Sequence, residues 1–75
     1  MKPATRATLD LLRRHPEGVT ALTALDEIGS FRLGARVFEI KQDGWEVETR
    51  WETTTSGKRI ARYVLHETEQ LGLAL

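Results

Sequence analysis

The Gly29-Ser30 corner divides two runs of helical hydrophobic spacing, and it constrains the chain more than any other feature. Before it, Leu22, Leu25 and Ile28 recur every third residue behind Thr20, a good helix-capping type. A short helix is therefore expected over about Thr20–Ile28, with those three residues as its core stripe and Asp26 and Glu27 turned away. Gly29 suits the left-handed backbone that ends a helix. After the corner, Ser30 is placed to cap a helix running to about Gln42. Leu33, Val37 and Ile40 follow the i, i+4, i+7 spacing of its buried face, and Arg32, Ala35, Arg36 and Glu39 are expected opposite them.

The flanking segments extend this pattern. A first helix is expected over Thr5–Arg14, capped by Thr5 with Pro3 outside it, made apolar by Leu9, Leu11 and Leu12, and ended by "HPEG". Beyond Asp43-Gly44, Trp45, Val47, Thr49 and Trp51 alternate with charged residues, as do Ala61, Tyr63 and Leu65 on a returning segment. Both apolar sets share a face only if paired residue numbers have an even sum, with Val47 opposite Leu65 and Thr49 opposite Tyr63. That register leaves Thr55-Ser56-Gly57 as the loop, with glycine where a left-handed bulge residue is needed. It also sets Arg50 against Arg62, a repulsion that Glu48 and Glu52 can offset. The outer face of the ribbon therefore reads as a mixed-charge solvent face. Trp45, Trp51 and Tyr63 read as core residues in preference to base-stacking ones, and Phe31, among the positions near the start of the third helix, as a core or helix-entry residue in preference to a wedge in a groove.

Size and composition narrow the remaining choices. Seventy-five residues without cysteine make one domain, near the lower limit for a single core and with no disulfide to staple it. The two histidines, His15 and His66, have no evident partner ligands and read as exposed, so no metal site is expected. No apolar run approaches a membrane span, and "MKPATR" lacks a signal-peptide core; a cytoplasmic protein is expected. Carboxylates are scattered without an apolar pocket, and no nucleophile–base pair or phosphate-cradling glycine loop is evident. Neither catalysis nor a cofactor is expected.

Two helices at a tight corner have the sequence form of a helix-turn-helix. With the first helix and the hairpin, the fold class is α+β: a winged helix-turn-helix, three helices followed by a two-stranded hairpin wing, over residues 1–66. Residues 67–75 are expected to be a tail, either flexible or dimer-forming through Leu71, Leu73 and Leu75.

Lysines and arginines equal aspartates and glutamates at 11 each, so function depends on where charge sits. In a helix-turn-helix the third helix enters the major groove, which makes Ser30, Arg32, Ala35 and Arg36 candidate DNA contacts. Arginine can bond guanine through two coplanar donors, and Ala35 between the arginines permits close approach. The plainer alternative pairs Arg36 with Asp26, Glu27 or Glu39. Gly34 inside the helix suggests close approach by DNA or a neighbouring helix. Lys58 and Arg59 at the hairpin tip can bond phosphate or enter the minor groove, or simply solubilise a loop. Thr20 and Thr23 are candidate phosphate anchors, with Thr20 as a plain cap the simpler reading.

The stretch "GVTALTALDEIGSFRLGARVFEIKQDGWEVETR" with the later "ARYVL" resembles the small winged helix-turn-helix domains common in bacteriophage and prophage proteins. The likeness is carried by Thr20, Ala24, Gly29, Arg32, Leu33, Ala35, Arg36, Val37, Glu39, Ile40, Gly44, Val47, Thr49, Arg62, Tyr63 and Leu65, and spans roughly residues 5 to 65. It implies a DNA-binding fold and a phage-related origin; the leading expectation is then a protein that binds double-stranded DNA, a transcriptional regulator or an excisionase-like architectural factor. A chain this small is expected to act as a homodimer or cooperative assembly on paired half-sites. The competing expectation is a winged-helix module that binds a protein partner, favoured by zero net charge and the acidic Glu46, Glu48 and Glu52.

Overall fold

A computed structural model of the chain describes residues 1–66. They form helix α1 (Pro3–Arg14), strand β1 (Val19–Thr20), helix α2 (Ala21–Ile28), helix α3 (Leu33–Gln42) and strands β2 (Val47–Thr53) and β3 (Arg59–Leu65). The expected tail and its three leucines lie outside the described residues.

Helix α1 starts at Pro3, not Thr5, because proline's fixed φ and missing N–H suit the first helical position. Thr5 is consequently no cap. It is buried within α1 and donates its hydroxyl to Glu39 on α3.

The sheet corrects the expected two-stranded wing. It has three antiparallel strands in the order β1-β3-β2. Val19 pairs with Tyr63 and Thr20 with Arg62, which ties the start of α2 to the middle of β3. Two residues are too few to show alternation, so β1 leaves no periodic trace in the sequence. Thr20 ends β1 and caps α2 as expected, its Oγ1 accepting the Thr23 N–H at 3.3 Å. Between β2 and β3 the even-sum register is observed throughout, including Val47↔Leu65, Thr49↔Tyr63 and Arg50↔Arg62.

Leu9, Leu11 and Leu12 of α1, Val19, Ala24, Leu33, Val37, Ile40 and Val47 form the core, with Ile28, Trp45, Tyr63 and Leu65 packed against it. The expected core stripe of α2 is wrong in two of its three members. Ala24 is buried, whereas Leu25 is exposed and Leu22 is 75% exposed. A three-residue spacing drifts by about 60° per step around a helix, so it cannot hold one narrow buried line. Phe31, at 85% exposed, is likewise not a core residue. Trp51 follows the inward alternation, but β2 runs past the edge of the core. Its side chain is 60% exposed, with the Arg59 guanidinium 4.9 Å above the ring.

The histidines also differ from the expected exposed punctuation. His15 is partly buried between Glu17 and Glu27, and His66 is partly buried against Glu48. Glu17 is a neighbour of His15 in the turn, but Glu27 and Glu48 lie on α2 and β2, 12 and 18 residues from their histidines, and so leave no local signature.

Candidate nucleic-acid interface

The Gly29 corner sets the geometry of the site. Its backbone is left-handed at φ 65°, and its N–H and that of Ser30 close the end of α2 onto Leu25 and Ala24. The chain then turns sharply into α3. Ser30 does not cap α3; the capping position is Arg32, whose side chain makes no capping bond. Instead the Ser30 Oγ accepts the Arg32 N–H at 3.3 Å and fixes the turn before the helix. Arg32 is exposed and has no ion pair among the described residues.

Between this turn, the start of α2 and the wing lies a groove of about 620 Å³. One wall is Thr20, Ala21 and Leu22, another is Phe31 to Gly34, and the third is Thr54 with Ile60 to Tyr63. Among the described residues, no carboxylate lines it. The acidic residues of α2, Asp26 and Glu27, face a separate depression on that helix. Of the sequence-predicted residues, the groove brings together Thr20 and Arg32, and through Thr54 it adjoins the wing tip. Thr23 is half-buried, and its N–H is already taken by the Thr20 cap.

Arg36 is not on the outer face where the sequence spacing put it. It lies on the flank of α3 toward α1, 19% exposed, with Nη1 donating to Glu39 Oε1 at 2.9 Å. Glu39 also accepts the Thr5 hydroxyl and lies 3.6 Å from the Lys2 ammonium. Those donors, Thr5 foremost and then Arg36, hold the Glu39 carboxyl below the ordinary carboxylate range. The solvent side of α3 is instead formed by Gly34, half-buried Ala35, Phe38 and Lys41, at helical three- and four-residue spacing. Phe38, 61% exposed, is a candidate the sequence reading missed. Its signal was available: it lies one position after Val37, and two adjacent residues cannot both face a narrow core.

At the wing tip, Thr54 and Lys58 close the loop through a 2.7 Å backbone bond and a 3.1 Å bond from the Lys58 N–H to the Thr54 hydroxyl. Gly57 takes the left-handed conformation at φ 86° and donates to the Thr54 carbonyl. Lys58 is left exposed at the apex, without an ion pair among the described residues. The outer ribbon is different. Arg62 donates to Glu52 at 2.7 Å and Arg50 to Glu48 at 3.1 Å, so charge there is neutralised locally as expected.

A corner, an α3 whose first residues line a groove, and a hairpin standing across from it are the parts of one architecture. The family model described as a winged helix-turn-helix domain matches residues 5–68. The chain belongs to this family. Comparisons with curated proteins and with solved structures gave no match. In this winged helix-turn-helix domain, α2 and α3 are the helix pair and β2–β3 the wing, with β1 as the third strand of the sheet. The family suggests a DNA partner, and its domains are typically not enzymes. Among the described residues, no helix is long and apolar enough to cross a membrane.

Proposed function

We propose that this domain binds duplex DNA in a sequence-specific manner, with α3 in the major groove and the wing tip against the backbone or minor groove. One observation carries the reading. Arg32 lines a groove that no carboxylate lines among the described residues, and Lys58 adjoins it through its bond to Thr54; both cations are exposed and without an ion pair among the described residues. A zero-charge protein can approach a polyanion when its unneutralised cations converge on one side and its acids are quenched elsewhere. Arg32 is the candidate base contact, Lys58 and Arg59 are phosphate contacts, and Ser30 and Thr20 hold the turn and helix that aim them. Ala35 gives the solvent side of α3 a small, half-buried surface beside the groove. Arg36 joins only by exchanging Glu39 for DNA. The corresponding role is a phage-type transcriptional regulator or excisionase-like architectural factor, working as a homodimer or cooperative assembly on half-sites about one helical turn apart.

A salt titration of duplex binding tests this. Arg32→Ala is expected to cost about tenfold or more in affinity for a selected site. Lys58→Ala should weaken all duplexes alike and reduce the log–log salt slope by about one. The second reading, a protein-interaction module, is favoured by the exposed Leu22, Phe31, Phe38 and Trp51. It gains the field if no duplex binds at low salt.

A further inference from the structure

We infer that the recognition surface reads thymine by its methyl group, through Phe31 and Phe38. This rests on the duplex-binding reading above and specifies what the surface recognises. The two phenylalanines are 85% and 61% exposed, one at the entry to α3 and one on its solvent side. A contiguous exposed apolar patch marks a binding surface, where a single exposed ring need not. Between them lie Gly34 and Ala35, which add no polar side-chain atom to the surface. The side of α3 offered to a partner is therefore mostly apolar, with Arg32 at one end and Lys41 at the other.

The partner that fits has negative charge around it and apolar points on its floor. Among the described residues no carboxylate lines the adjoining groove and Arg32, Lys41 and Lys58 have no ion pair, which favours a polyanion over an acidic or neutral protein groove. In the major groove the C5-methyl of thymine is the one apolar group that a base pair presents, and phenylalanine is suited to meet it. Arg32 next to Phe31 then selects sites in which thymine neighbours guanine.

The test uses the strongest duplex recovered from a random pool, made once with thymidine and once with deoxyuridine throughout, binding to the full chain at fixed low salt. Loss of one buried methyl contact is expected to lower wild-type affinity about fourfold. Phe31→Ala and Phe38→Ala should each bind both duplexes more nearly alike, and Phe31→Leu should restore part of the difference. Both rings are on the surface, so circular dichroism and Tm should show the variants folded. If the wild type binds the two duplexes equally, the methyl inference fails while the DNA-binding reading stands. If the wild type discriminates but both alanine variants discriminate equally well, the assignment to these rings fails. If no duplex binds at low salt, both readings fall together.

Discussion

Arg36 and Glu39 are joined one turn apart on α3, Nη1 to Oε1 at 2.9 Å, on the flank that faces α1. The pair removes from the solvent face the arginine that sequence spacing offers to DNA. Glu39→Gln is expected to weaken the α1–α3 contact, because it leaves the Thr5 hydroxyl and the Arg36 guanidinium with a poorer acceptor. It should also free Arg36 and remove a negative charge near the docking face. Tm should fall, while duplex affinity at low salt rises and its salt dependence steepens. Fluorescence anisotropy at several salt concentrations, beside a thermal melt, reads both changes; reduced affinity in a folded variant would place Glu39 among the DNA contacts.

Gly34 gives a second, opposed pair of effects. A Cβ built there meets only the Tyr63 hydroxyl, at 3.6 Å, and no neighbouring helix. The fold therefore has room for alanine. Gly34→Ala should stabilise the domain by about 0.5–1 kcal/mol through helix propensity. If α3 approaches base edges closely, the added methyl should also lower duplex affinity several-fold. A higher Tm with unchanged affinity would mean that DNA does not approach this side of α3.

How much of this was legible in the chain follows from the range of each interaction. The Gly29 exit, the Thr20 cap and the β2–β3 register depend on residues near one another or on one parity condition, and all were readable. The pairing of Arg62 with Glu52 was also foreseeable, since one register places them diagonally. The Arg36–Glu39 pair was among the local alternatives the spacing offered, but the Thr5 hydroxyl that holds Glu39 from another helix, 34 residues away, was not legible. Strand β1 is too short for a period. Leu22 and Trp51 misled for geometric reasons, a three-residue spacing that drifts around α2 and a strand that outruns the core, neither of which hydrophobicity alone reveals.

His15 makes stability depend on pH. Its Nδ1 lies 3.0 Å from Glu17 and its Nε2 3.1 Å from Glu27, while Arg14 and Arg62 face the same carboxylates. A neutral imidazole carries one N–H, so donating to both acids requires the imidazolium. Glu17 first and Glu27 next hold its pKa above the ordinary value. A raised folded-state pKa contributes stability fully below the unfolded value, about 6.5, and loses it as pH rises through the folded value. Glu17, held low chiefly by its own backbone N–H and then by His15, loses its contribution only as pH falls through the lowered carboxylate range. Melting curves from about pH 6 to 9 should show wild-type Tm falling relative to His15→Gln; parallel curves would show that the ring carries no linked proton.

Gly18 is fixed by both space and backbone angle. It sits at φ 107°, before β1, where a Cβ would lie 2.5 Å from Arg62 Cγ and 2.8 Å from Cδ. The Arg62 side chain crosses this point to reach Glu52 at 2.7 Å and the Gly18 carbonyl at 3.3 Å. Gly18→Ala must therefore strain its own backbone and also displace an arginine that links the turn to the sheet. A loss of about 1–3 kcal/mol is expected from the strained φ alone, with more from the clash. Denaturant melts of Gly18→Ala, Arg62→Ala and the double variant separate the two contributions. Removing the Arg62 side chain should relieve the clash and make the double variant more stable than the sum of the single losses, while the cost of the positive φ remains. Strict additivity would mean that Arg62 moves aside freely and that the cost lies in the Gly18 backbone and the 3.0 Å approach to Val64 Cγ2.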